Sequence, residues 1–150
     1  MNSNLDNIAL FIDGDNISPK YSEKIINFAK KYGRLLVSRV YGDFSKDELK
    51  NWEKPSILYN IEPIIVWRIG GKNSSDLRLT VDALELVTEK KYINKVILVS
   101  GDKDYTTLVN KLKMNGIYVI GFSKNKMNTS DIIRNCCDEF ILLDDPQTEY

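Results

Sequence analysis

Six short apolar runs punctuate the chain: NIALFI (7–12), RLLVSRVY (34–41), PIIVWRI (63–69), KVILVS (95–100), IYVIGF (117–122) and EFILL (139–143). Each is too short for a buried helix and rich in β-branched or aromatic residues, so each reads as a strand. Between them the apolar period lengthens. Ser18 and Pro19 offer an N-cap and a first-turn proline, Ile25, Ile26, Phe28 and Ala29 follow, and Gly33 closes the segment, which predicts a first helix. Ser45 and Glu48 have capping-box spacing before Leu49 and Trp52, in a helix that must bend or stop near Pro55. Further helices are predicted from Ser74 or Ser75 to Glu89, from Asp104 to Asn115 with Gly116 at its end, and over TSDIIRNCC.

Strands and helices that alternate in this way, with continuous apolar strands, predict an α/β three-layer sandwich: a central, mostly parallel sheet of five to six strands with helices on both faces. In open sheets of this kind ligands bind outside the carboxyl ends of the strands, where the strand order reverses. A chain of 150 residues, 43% of them hydrophobic, suits a single domain over 1–150. Only residues 1–6 and the tail DDPQTEY look loose.

Charge narrows the chemistry. Lys and Arg number 21 and so do Asp and Glu, so no global field selects a partner and any electrostatic attraction must be local. The chain has no histidine, which removes the commonest general base and every Ser-His or Cys-His nucleophile. Adjacent Cys136 and Cys137 read as reduced packing residues rather than a zinc site. The start lacks the pattern of a signal peptide, and no apolar run approaches the ~20 residues of a membrane span. A cytoplasmic protein with no membrane partner is expected.

What remains is acid. Asp13 and Asp15, with Asn16, follow the first strand; Ser100, Asp102 and Asp104 follow the fourth; Asp76 opens the helix after the third. Any one of them has an ordinary explanation, since Asp caps helices and favours turns. Together they present a problem, because two carboxylates ~4 Å apart repel by about 4 kcal/mol at an effective dielectric of ~20. Such a cluster calls for a proton or a cation, and an all-oxygen site favours Mg2+ or Mn2+. A metal held in this way supports phosphodiester hydrolysis without a protein nucleophile. Asp82 lies about 120° around the helix from Asp76 and reads equally as a partner for Arg78 at four-residue spacing.

The motifs FIDGDN, GKNSSDLRLTVDAL and VSGDKDYTTLV, in that order, resemble the NYN domain, the LabA-like branch of the PIN-like nucleases. The resemblance implies a PIN-like, Rossmann-like sandwich and a Mg2+- or Mn2+-dependent ribonuclease. Carried over by position, Asp13, Asp76, Asp102 and Asp104 match the catalytic, metal-holding acids, with Asn16, Ser100 and Asp82 in support. In that reading Asp13 is the central ligand, and Asp104 either coordinates or orients water. The middle motif departs from the usual Lys-Gly-x-Asp pattern, because three residues separate Lys72 from Asp76.

RNA, single-stranded or structured, would meet basic residues on the rim. Lys72, Arg78, Lys124 and Lys126 lead this group, with Lys20, Lys24 and Arg134 beside them, and Tyr21 and Tyr105 are placed to stack on bases. Trp52 and Tyr59 are expected to form an exposed patch on which a homodimer could assemble. Three other classes are weighed. A haloacid-dehalogenase-like phosphatase shares Asp13-x-Asp15 but has a threonine or valine where Asn16 stands. A receiver domain needs an aspartate at the end of the third strand, where this chain has WRIGG. A non-catalytic RNA- or protein-binding module would keep the fold without turnover.

Overall fold

The computed structural model describes residues 6–44, 47–67 and 74–146, and the side chain of Glu48 is not among the described groups. Six strands form one sheet in the order β3-β2-β1-β4-β5-β6, and every neighbouring pair is parallel. They are β1 (Asn7–Asp13), β2 (Arg34–Gly42), β3 (Glu62–Ile65), β4 (Lys95–Val99), β5 (Tyr118–Ser123) and β6 (Glu139–Leu142). The helices are α1 (Ser22–Ala29), α2 (Asp47–Lys50), α3 (Glu53–Tyr59), α4 (Ser75–Glu89), α5 (Thr106–Met114) and α6 (Asp131–Cys136). Among them no helix is long and apolar enough to cross a membrane.

Alternation along the central strands divides the interior into two cores. Ile8, Leu10 and Ile12 of β1 pack with Ile25, Ile26 and Phe28 of α1 and with Leu49 and Trp52 on one face. Ala9 and Phe11 pack with Leu79 and Ala83 of α4 and with Leu108 and Leu112 of α5 on the other. The chain winds outward from β1 to β3 and returns through α4, which lies against β1, β2 and α5, before winding outward again from β4. The strand order therefore reverses between β1 and β4, where a ligand crevice is expected.

Several expectations needed correction. The strand predicted over 63–69 ends at Ile65, and Ile65 and Trp67 are 54% and 73% exposed, because β3 is an edge strand with one flank uncovered. Pro63 lies within that edge strand. The break in the second helical segment falls at Asn51–Trp52, ahead of Pro55, which sits in the first turn of α3, where a missing N–H costs nothing. Trp52 is fully buried and forms no surface patch. The Ser45–Glu48 capping box lies outside the described residues. Asp6 is tied down, not loose: Lys95 reaches its carboxylate at 2.9 Å and its carbonyl accepts from Arg34 N–H. At the other end Tyr21 Oη donates to the carboxylate of Asp144 at 2.9 Å.

Candidate active site

Asp13 is the last residue of β1 and faces the α4–α5 layer, in register with Ala9 and Phe11. Its side chain is only 2% exposed. Ser100, fully buried just beyond β4, donates from Oγ to Asp13 Oδ2 at 3.0 Å, so the bond crosses the point where the strand order reverses. Asn16 Nδ2 donates to the same oxygen at 2.8 Å. Both bonds fall on Oδ2, and Oδ1 receives none among the described residues.

Two glycines allow the strand ends to close in. A Cβ on Gly14 would stand 2.7 Å from Tyr41 O, the oxygen that accepts Gly14 N–H. One on Gly101 would meet Asn128 O at 2.2 Å. Any side chain at either position would push the β1 or β4 loop away from its neighbour.

Asp102 hangs on the same scaffold. Its N–H donates to Ser100 Oγ at 3.1 Å, and its Oδ1 accepts from Asp104 N–H at 2.9 Å, capping the one-turn helix Lys103–Tyr105. The helix expected from Asp104 starts at Thr106, because a 3-10 turn capped by Asp102 precedes α5. Asp104 itself is exposed. Asp76 stands half-buried in the first turn of α4, where its Oδ1 accepts from Leu77 N–H at 2.8 Å. Asp15 turns toward the end of β2, with Asp43 N–H 3.4 Å from its Oδ1.

The electrostatics single out Asp13. Burial, opposed by the bonds from Asn16 and Ser100 and reinforced by the charges of Asp15 and Asp102, pushes its carboxyl from 3.8 up to about 6. None of Asp13, Asp15, Asp76, Asp102 and Asp104 forms an ion pair with a described Lys or Arg. Tyr105, fully buried, has a hydroxyl with no hydrogen-bond partner. Its phenol is pushed up, first by burial and then by the charges of Asp13, Asp76, Asp102 and Asp15. Among the described residues, however, no three acidic side chains come close enough to form a finished metal cage. Uncompensated carboxylates, an unused Oδ1 and an orphaned hydroxyl fit a hard cation that keeps part of its water shell.

Asp82 stands apart from this group. Arg78 Nε lies 3.1 Å from both of its oxygens, and Tyr41 Oη donates to Oδ2 at 2.8 Å, so it ties α4 to β2. Lys24 donates to Leu143 O and so is committed to the fold. Tyr21 and Tyr105 are buried, which removes both as stacking platforms. Lys72 lies outside the described residues. Lys124 stands between two adjoining clefts of about 360 and 210 Å3, lined on one side by Asp15, Asn16 and Asn51 and on the other by Ser100, Asp102 and Asn128. Lys126 follows in an exposed turn, and Arg134 is exposed on α6. Tyr41 and Asn128 had no signal in the sequence as neighbours of the site. Only the pairing of β2 with β1 and the close approach at Gly101 bring them there.

The family model described as NYN domain matches residues 7–144. The crystal structure of a protein of unknown function from Vibrio parahaemolyticus matches with a TM-score of 0.75 at 23% identity, covering 95% of each chain, a likeness that establishes the shared fold. No curated protein sequence matches the chain.

Proposed function

The chain belongs to the NYN domain family, and from that membership, within the PIN-like nuclease superfamily, we propose that it is a Mg2+- or Mn2+-dependent ribonuclease. The observation that carries the proposal is Asp13: a buried carboxyl at the reversal of strand order, bonded by two neutral donors, faced by other acids and ion-paired to no Lys or Arg among the described residues. A divalent ion there supplies activation of water and stabilisation of the leaving oxygen. Asp13 would hold it through Oδ1, and Asp102 and Asp76 would complete the shell directly or through water. Asp104, at the exposed side, would coordinate or orient water. Ser100 and Asn16 fix the Asp13 carboxylate, and Ser100 also sets the Asp102 loop. Lys124, with Lys126 and Arg78, would draw the phosphate backbone into the clefts, and Lys72, four positions before Asp76 in the sequence, would join them.

Among the described residues the two clefts beside Lys124 are lined by no aromatic side chain, which favours recognition of the phosphate backbone, and a single strand bends into such an edge more easily than a duplex. The open spacing of the acids favours one second reading, a binding module without turnover. Incubation of single-stranded RNA with the wild-type chain and Asp13→Asn, in Mn2+ and in EDTA, separates the two. Mn2+-dependent cleavage lost in the variant is expected. RNA binding without cleavage would establish the module, and turnover of small phosphomonoesters alone would refute both.

A further inference from the structure

Tyr105 ends the turn that Asp102 caps, and its ring is packed with Phe11, Tyr41, Leu79 and Leu108 between the sheet and the α4–α5 layer. Asp13 lies on that same face of β1, two positions past Phe11. Asp76 lies one turn before Leu79 on α4. The phenol is thus buried on the face that carries Asp13, the charges of Asp13, Asp76, Asp102 and Asp15 act on it, and none of these carboxylates bonds to it. Most buried hydroxyls in folded chains have a partner, and an exception calls for an explanation, of which a water or ion is one. Among the described residues the other unpartnered buried side-chain atoms are Trp52 Nε1 and Ser56 Oγ, which lie at α2–α3, away from Asp13 and Asp102.

We propose that Tyr105 is a positioning residue whose hydroxyl shares a hydrogen bond with a water in the hydration shell of the cation held by Asp13 and its neighbours. The inference rests on the metal reading above. A hydroxyl can both donate and accept, so it can serve such a water in either sense, and Mg2+ and Mn2+ bind carboxylate-poor sites with several waters retained. The ring, packed among Phe11, Tyr41, Leu79 and Leu108, fixes where the phenol oxygen stands, so a water that it holds would be positioned with respect to β1 and the start of α4.

The test measures Mn2+ binding by calorimetry, and the electron paramagnetic resonance spectrum of the bound ion, for the wild-type chain, Tyr105→Phe and Asp13→Asn. Tyr105→Phe should melt at or above the wild-type temperature without metal, bind Mn2+ roughly three- to tenfold more weakly, and alter the resonance spectrum. Equal affinity and an unchanged spectrum in Tyr105→Phe, with binding lost in Asp13→Asn, would overturn the role of Tyr105 and leave the metal site standing. Wild-type chain that binds Mn2+ no better than Asp13→Asn would overturn both. Should Tyr105→Phe not fold, wild-type chain carrying 13C-tyrosine gives the same answer: the Tyr105 Cζ resonance moves on addition of Mg2+, or it stays and the proposal falls.

Discussion

Replacing Asp13 by Asn should stabilise the metal-free chain near neutral pH and lose that advantage in acid. The folded state raises this carboxyl from 3.8 to about 6, so it disfavours the ionised form by about 3 kcal/mol, at about 1.4 kcal/mol per pKa unit. The sign follows from proton counting. Between the two values the folded chain binds more protons than the unfolded one, so stability falls as pH rises from about 4 to about 6 and then stays at its lower level. Asparagine keeps an oxygen for Asn16 and Ser100 but places an amide N–H where Oδ1 stood, at a cost of about 1 kcal/mol. The variant should therefore match or trail the wild type near pH 4 and exceed it by about 2 kcal/mol near pH 8. Urea unfolding in EDTA across that range measures the difference. A difference that is flat with pH, or a variant less stable throughout, would refute the view that the acid is held against its own charge. With Mn2+ present the trend should reverse in the wild type, since the ion binds the carboxylate and stabilises the folded state more as pH rises through about 6.

Asp102→Ala should lose the cap on Lys103–Tyr105 and cost about 1 kcal/mol, while Asp102→Ser keeps the cap and still weakens Mn2+ binding; melting curves with and without the ion separate the two effects. Asp82→Ala should cost about 1–3 kcal/mol by leaving the Tyr41 hydroxyl without its acceptor, yet reduce RNA cleavage far less than Asp13→Asn; equal losses of activity would move Asp82 into the metal site. Replacing Lys124 and Lys126 together by Ala should flatten the salt dependence of RNA binding by about 1.4 in log–log slope, with Mn2+ affinity unchanged in calorimetry.

The central strands were legible because their apolar runs are buried on both faces and leave no other assignment. Asp13, Ser100 and Asp102 were legible because they follow such runs directly. The order of strands was not, since it depends on which way each crossover winds, and only that order makes Asp13 and Ser100 neighbours. The helix predicted from Asp104 starts instead at Thr106, because a 3-10 turn and an α-helix start share one sequence signature. Trp52, Tyr21 and Tyr105 illustrate the converse limit: an aromatic ring near a loop carries no mark of whether it turns inward, and all three do.

Pro63 has a consequence for how copies of this chain coexist at high concentration. Val66 N–H points inward to Gly42 O, so by alternation Pro63 and Ile65 turn their backbones away from the sheet. A strand arriving at this rim finds the Ile65 N–H and, where the next donor belongs, a pyrrolidine ring. An edge four residues long cannot hold a foreign strand in register with half its donors gone, so the apolar side chains of Ile65 and Trp67 can be displayed without templating fibre growth.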